Sequence, residues 1–503
     1  MRFFLNQFIA SRTAQYVTVG LVFLFFLTRV RFITTFPLFF DEAIYIRWAQ
    51  YIIADPSWNF ISLTDGKQPL LIWLISVSQR LTNDPIIAGR IVSLFAGLGS
   101  MLGVYLLTKD IFSKKAGAIA ALIYLIVPFY LIHDGLAIMD GLLLTCMIYA
   151  CYFTYKLSQT AHYRYALAAG ISIGLGLLTK SSAVFGLYFL PLGFFLLPKK
   201  NKQTIVQYFL LMILAGGIAL GIEALMRLSV YFDFIAVKNA VFLHTIEEVR
   251  HDPQIILQQN VPLISSWLRS YIGIPLLILS FVSLIFKGKR LHVLFLLMYG
   301  LVPLALLTLF GKQLYPRYLV FMTFPFIVLA AHAFVMLVEK YIPTKQHLFA
   351  FVIFLLLLLS PHLRTDFFLL TNHMKTPLPE IDQWQFFFGE PSGIGMDTLV
   401  AFFREKQSNN LLIMTDKSIG ILPDGIAIHF FNENSITVSG TDGITKSNLQ
   451  TKYREKHPEE IYLVLSWQGI PAGVSAEKVL EIKREGKRNK DWNVYKVDKT
   501  SLR

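Results

Sequence analysis

Apolar runs recur through the first 360 residues, separated by short polar loops, and this pattern fits a bundle of membrane-spanning helices. The runs fall at residues 14–30, 85–108, 116–132, 140–155, 166–179, 183–197, 204–225, 265–286, 291–310, 319–338 and 348–359. Most approach the roughly 17 to 25 residues that a helix needs to cross a bilayer. The first has no small-residue cleavage site and reads as an uncleaved signal anchor. Composition agrees: of 503 residues 55% are hydrophobic and 16% charged, and the mean hydropathy is +0.55. A soluble globular protein is excluded on these figures. The formal charge of +14 reflects basic loops that orient a membrane protein, so no nucleic-acid partner is expected.

The loop charges fix an orientation. With the N-terminus in the cytoplasm, Lys109, Lys114, Lys115, Lys156, Arg164, Lys199, Lys200, Lys202, Lys287, Lys289, Arg290, Lys340 and Lys345 all fall inside, as the positive-inside rule requires. Asp41, Glu42, Asp134, Asp140, Glu247, Glu248 and Asp252 then gather outside or at the outer interface. Residues 68–81 (QPLLIWLISVSQRL) are apolar enough to tempt a twelfth span. They are short and include Arg80, and counting them would invert every later loop, so they read as an interfacial helix.

The expected fold class is an α-helical polytopic membrane protein of about eleven transmembrane helices, followed by a soluble C-terminal α/β domain. The membrane domain covers residues 1–370, with a first outer loop at 31–84 and a later one at 228–264. Residues 371–503 form the second domain, on the extracytoplasmic side. There a helix-like 396–406 precedes strand-like LLIMT from Leu411, GIAIHFF from Gly425, IYLVLS from Ile461 and WNVYKV from Trp492. Cys146 and Cys151 share one apolar run about 140° apart on a helix, so no disulfide is expected.

Ionisable residues at membrane depth cost free energy unless paired or hydrated, so they mark candidate sites. Asp41 and Glu42 lie in the aromatic run FFDEAIY, where desolvation suits a carboxylate to base chemistry; helix capping is the structural alternative. Lys67 in DGKQPL is a point charge for a lipid phosphate, or a snorkelling anchor. His133, Asp134 and Asp140 lie in HDGLAIMD, where Asp140 also suits a helix cap. Arg317 and Tyr318 in KQLYPRY are a phosphate fork and a hydroxyl donor, or interfacial anchors.

Taken together, FFDEAIYIRWA, KQPLLIWL, AGRIVSLFAG, LAIMDGLLL, GLGLLTKSSA and PRYL resemble, in order and spacing, the GT-C glycosyltransferases. The likeness is to the branch of the protein O-mannosyltransferases and the aminoarabinose lipid A transferases. It covers about the first 360 residues and implies an integral plasma-membrane enzyme that uses a polyprenyl-monophosphate sugar donor at an extracytoplasmic site. On it Asp41 is the catalytic base, Glu42 and Asp140 orient the acceptor or stabilise the sugar cation, and Lys67, Arg317, Tyr318 and Lys180 hold the leaving phosphate. His133 and Asp134 are possible acceptor contacts. Gln68 stands where the family often has Pro, and Gly135 where many relatives carry Arg, a contact that His133 would replace.

The acceptor class stays open between a glycolipid, a protein and a cell-wall glycan. No cofactor is required, and no P-loop or dinucleotide fingerprint is present. His244, Glu247, Glu248 and His251 recur at helical spacing and are weak candidates for a divalent metal, against a solvated charged helix. A transporter, or a lipid-linked-sugar binding protein without transferase activity, would keep the same helices. Transporters commonly carry their unusual residues at the midplane of paired halves, whereas here they collect at one border.

Overall fold

The computed structural model describes residues 12–342, 347–406, 410–484 and 491–502; Lys345 lies outside them. The chain divides into two compact units. The first comprises the described residues up to Thr35, Phe60–Leu71 and Arg90–Pro377, and the second those of Phe36–Asn59, Ile72–Gly89 and Leu378–Arg503.

The first unit is helical. Among the described residues five helices are long and apolar enough to cross a membrane: Pro85–Ile111, Lys202–Leu228, Arg290–Phe310, Pro316–Tyr341 and Val352–Thr371. Two bent pairs raise the number to seven, Lys114–Ile126 with Pro128–Gly135 and Pro253–Tyr271 with Ile274–Ile285. The protein is a multi-pass membrane protein. The other expected spans coincide with Arg12–Thr35, Met139–Thr160, the 15-residue Tyr163–Leu177 and the broken stretch Ser181–Leu196, where Pro191 interrupts the helix. Residues 68–81 contain only the nine-residue helix Leu70–Ser78. At 1.5 Å per residue that is about 14 Å, less than half a bilayer core.

Every residue from Val320 to Val335 is buried, as expected of a helix that is apolar all round and runs through the centre of a bundle. The bends have local causes. Pro128 has no N–H to continue the preceding helix, so the chain turns by 68° there. At Gly273 a φ of 80° allows the 94° turn between the other pair. The first bend brings His133 and Asp134 into the interior. Cys146 and Cys151 are buried free thiols.

The second unit is built on a five-stranded sheet in the order β2-β1-β3-β5-β4. The strands are β1 (Leu411–Thr415), β2 (Ile436–Gly440), β3 (Glu460–Leu465), β4 (Ala476–Ile482) and β5 (Trp492–Val497). β2, β1 and β3 are parallel, while β5 and β4 add antiparallel. All five residues of β1 are buried, which accounts for its unbroken apolar sequence. Leu412, Met414, Ile461, Leu463 and Leu465 pack with Leu449 of helix Lys446–Lys456.

One strand expectation fails. The GIAIHFF run forms a helical turn, Asp424–Ala427, followed by a 3-10 turn, Ile428–Phe430. A short continuous apolar run cannot be told from a buried helix by periodicity. Asp424 biases the choice by accepting the Gly420 N–H at 2.6 Å. This segment packs against helix Phe40–Ala54, where Gln50 Nε2 donates to Ile428 O at 2.8 Å.

Candidate functional site

Four of the expected phosphate and acceptor residues meet in the first unit. Lys180 Nζ lies 2.6 Å from Asp140 Oδ1, and 4.5 Å from the centroid of the Tyr318 ring. The Arg317 guanidinium lies 5.2 Å from the Tyr315 ring and 6.0 Å from the Tyr318 ring. Helix Met139–Thr160 begins on Ile138, so Asp140 stands in its first turn and is not its cap. There the helix dipole favours a carboxylate. Lys180 ends the run GLGLLTK in extended geometry. Pro316 opens a 3-10 turn that carries Arg317 and Tyr318.

A polar track extends from this cluster. Next to Lys180, Ser181 Oγ accepts from Gln68 Nε2 at 2.6 Å and from Asn239 Nδ2 at 3.2 Å. Leu70 N donates to Leu178 O, a second tie between the KQPL segment and the end of helix Tyr163–Leu177. Lys67 lies 3.4 Å from Asp65, which also accepts from Lys238 at 2.5 Å. Gly66 is left-handed at φ 64°, and a Cβ there would stand 2.4 Å from Phe234 O. The turn that presents Lys67 therefore needs glycine twice over, for its dihedral and for its closeness to helix Phe234–Phe242. Sequence reasoning missed Ser181, Lys238 and Asn239, whose residue types are unremarkable until the loops are brought together.

His133 and Asp134 part company. Asp134 is fully buried; it accepts from Arg29 Nε and Nη2 at 3.2 and 3.1 Å and from Tyr124 OH at 2.7 Å. A buried ion pair with Arg29, completed by the Tyr124 hydroxyl, thus accounts for the position of Asp134. Arg29 gave a signal in the sequence, as a charge inside the first apolar run. The His133 ring is 2% exposed. It bonds Phe129 O through Nδ1 at 2.7 Å, and the charges of Asp140, Arg317 and Lys180 act on it.

Asp41 and Glu42 belong to the second unit. Helix Phe40–Ala54 has Phe39 as its N-cap, so neither acid is the cap residue. Glu42 is wholly buried and accepts the Phe39 N–H at 3.0 Å, closing the helix start as a third-position acid does in a capping box. Asp41 is 8% exposed. The helix start is pinned by Phe40 N to Pro391 O at 3.0 Å and Gly393 N to Leu38 O at 2.7 Å. Gly420, at φ 104°, leaves room for the Phe40 ring, which a Cβ would meet at 2.0 Å.

The weak metal set does not converge. Thr245 caps helix Ile246–His251, with Glu248 accepting its N–H, so His244 precedes the helix instead of sharing its face. Glu248 pairs with His244 and Lys312, and His251 with Asp252. Hydrogen bonding at Thr245 holds the Glu248 carboxyl below its usual range. Among the described residues, no group of three His, Cys, Asp or Glu side chains is arranged to hold a metal.

Residues 66–224 match the sequence family described as dolichyl-phosphate-mannose-protein mannosyltransferase. Among solved structures, ArnT from Cupriavidus metallidurans in the apo state superimposes with a TM-score of 0.61 at 14% identity, covering 96% of this chain and 97% of that one. The chain shares the fold of that structure, the GT-C fold. A second structure of the same ArnT, bound to undecaprenyl phosphate, gives this chain a TM-score of 0.60 at 12% identity, with 97% and 98% covered. The archaeal oligosaccharyltransferase AglB from Archaeoglobus fulgidus, in complex with an inhibitory peptide and a dolichol-phosphate, gives 0.55 at 13% identity. There 90% of this chain and 69% of the other are covered. No curated protein matches at the level of sequence.

Proposed function

We propose that this GT-C protein is an integral-membrane glycosyltransferase that moves a sugar from a polyprenyl-monophosphate donor to an acceptor hydroxyl on the extracytoplasmic face. Asp41 takes the proton of the acceptor hydroxyl as its oxygen attacks the anomeric carbon. The bond from that carbon to the lipid-phosphate oxygen breaks on the opposite side, so the configuration inverts. The lipid phosphate leaves with added negative charge, which fixed cations stabilise better than a general acid would. Lys67, Lys180, Arg317 and Tyr318 fill that role.

The observation that carries this reading is the Lys180–Asp140–Tyr318–Arg317 cluster in a membrane fold: Lys180 pairs with Asp140 and lies over the Tyr318 ring, and the Arg317 guanidinium lies 6.0 Å from that same ring. Asp140 and the Tyr318 ring hold Lys180 in position, so little reorganisation is needed when charge develops. The likeness to ArnT bound to undecaprenyl phosphate and to AglB with dolichol-phosphate supports a lipid phosphate as the leaving group.

The test is the purified full chain in proteoliposomes with a panel of undecaprenyl-phosphoryl hexoses and pentoses and a membrane extract as acceptor source. Acceptor-dependent release of undecaprenyl phosphate, read by mass spectrometry, is the expected result. Flux of the lipid-linked sugar without any release would point to a transporter instead.

A further inference from the structure

The buried imidazole of His133 has one nitrogen committed and one open. Nδ1 lies 2.7 Å from Phe129 O, a carbonyl that can only accept, so the ring proton sits on Nδ1. In the neutral ring Nε2 is then a lone-pair acceptor. It is buried and has no hydrogen-bond partner among the described residues, a costly state for a polar atom. Among the described residues three other histidines also carry a buried unpartnered nitrogen, but in different surroundings: His332 is stacked on Phe112, His362 is tied to Ile272 O, and His429 belongs to the second unit. His133 alone of these four feels the charges of Asp140, Lys180 and Arg317.

The ring is held in place. Phe129 meets it edge to face with centroids 4.9 Å apart. Gly141 packs so closely on the His133 carbonyl that a Cβ there would come within 2.3 Å of the oxygen. An acceptor atom fixed in this way is poorly matched to a phosphate, whose oxygens at neutral pH are themselves mainly acceptors. It matches a hydroxyl. Asp140, a second acceptor in the cluster, is already engaged by Lys180 at 2.6 Å.

We propose that His133 Nε2 accepts a hydrogen bond from a hydroxyl of the sugar carried by the lipid phosphate, and so selects the glycosylated donor over the spent lipid. This rests on the lipid-linked-sugar reading given above. A site built to pair with a hydroxyl rejects a ligand lacking it more strongly than a site that merely fits its shape.

The test is binding of undecaprenyl phosphate and of a panel of undecaprenyl-phosphoryl hexoses and pentoses to the full chain in nanodiscs. The wild type should bind at least one glycosylated lipid more tightly than the bare one. His133→Phe keeps the ring's bulk and removes the acceptor. It should leave the affinity for undecaprenyl phosphate within about twofold and weaken the preferred glycosylated lipid by roughly ten- to a hundred-fold. His133→Met gives the same comparison if the Phe variant does not fold, and His133→Gln, which restores an acceptor oxygen, should recover most of the preference. Equal weakening of both lipids would overturn the proposal in favour of a phosphate contact, and unchanged binding of both would overturn it in favour of a packing role. If the wild type shows no preference for any glycosylated lipid, the lipid-linked-sugar reading falls as well. If the preference exists and survives His133→Phe, only this inference falls.

Discussion

Lys180 Nζ sits 2.6 Å from Asp140 Oδ1, with the lysine about a quarter exposed and the aspartate nearly buried. The pair joins the end of the GLGLLTK run to the first turn of helix Met139–Thr160, two segments 40 residues apart. It neutralises Asp140 and aims a cation along the Tyr318 face.

Removing either partner should therefore have similar consequences. Lys180→Met takes away the cation proposed for the leaving phosphate, and Asp140→Asn frees that cation from its position. Each should lower the rate of transfer by about 10²-fold, the scale seen when one preorganised electrostatic donor is lost. The double variant should be little worse than either single one, since both remove the same unit. Single-turnover transfer rates of the three variants measure this.

Glu42 and Asp41 adjoin in sequence yet should respond differently. Glu42 accepts the Phe39 N–H from a wholly buried position. Glu42→Gln keeps an accepting oxygen and should leave folding nearly intact, whereas Glu42→Ala strands the amide and should cost about 1–2 kcal/mol. Thermal unfolding in detergent, followed by a probe in the second unit, distinguishes them.

Asp134 should behave as a structural residue. Its oxygens are taken by Arg29 and Tyr124 within a fully buried pair. Asp134→Ala leaves Arg29 buried and unpaired, so it should destabilise the first unit by about 3–5 kcal/mol. Any variant protein that does fold should bind the lipid donor normally. The measurement is Tm alongside donor affinity.

Much of this architecture is legible in the sequence because bilayer burial writes itself as long apolar runs, and because β1, β3 and β5 carry strong strand signals at Leu411, Ile461 and Trp492. β2 and β4 were not legible. ITVSG is half-buried throughout and AEKVLEI is largely exposed at a sheet edge, so neither has a clean apolar pattern. The cluster around Lys180 was foreshadowed by charges at membrane borders, but its geometry was not. The spacing of HDGLAIMD gives Asp134 and Asp140 equal standing, and only the fold turns one toward Arg29 and the other toward Lys180.

A pH effect should come from Asp424. Burial pushes its carboxyl up from 3.8 to about 6, against the opposing pull of the Gly420 N–H and Arg47. The folded state therefore holds this proton more tightly than the unfolded state does. Its contribution to stability is full below about pH 4 and is lost as pH rises through about 6, by up to about 3 kcal/mol. Asp424→Asn should flatten that fall while keeping an acceptor for Gly420. Denaturation of the second unit at about pH 4.5 and about pH 7, on either side of the shifted value, checks the sign.

The most direct test of the central claim is the transfer rate of Asp41→Asn with the lipid-linked sugar that the wild type uses best. With Asp41 as the base, kcat should fall by about 10²- to 10⁴-fold, while donor affinity and Tm stay near those of the wild type. Transfer at the full wild-type rate would contradict the account.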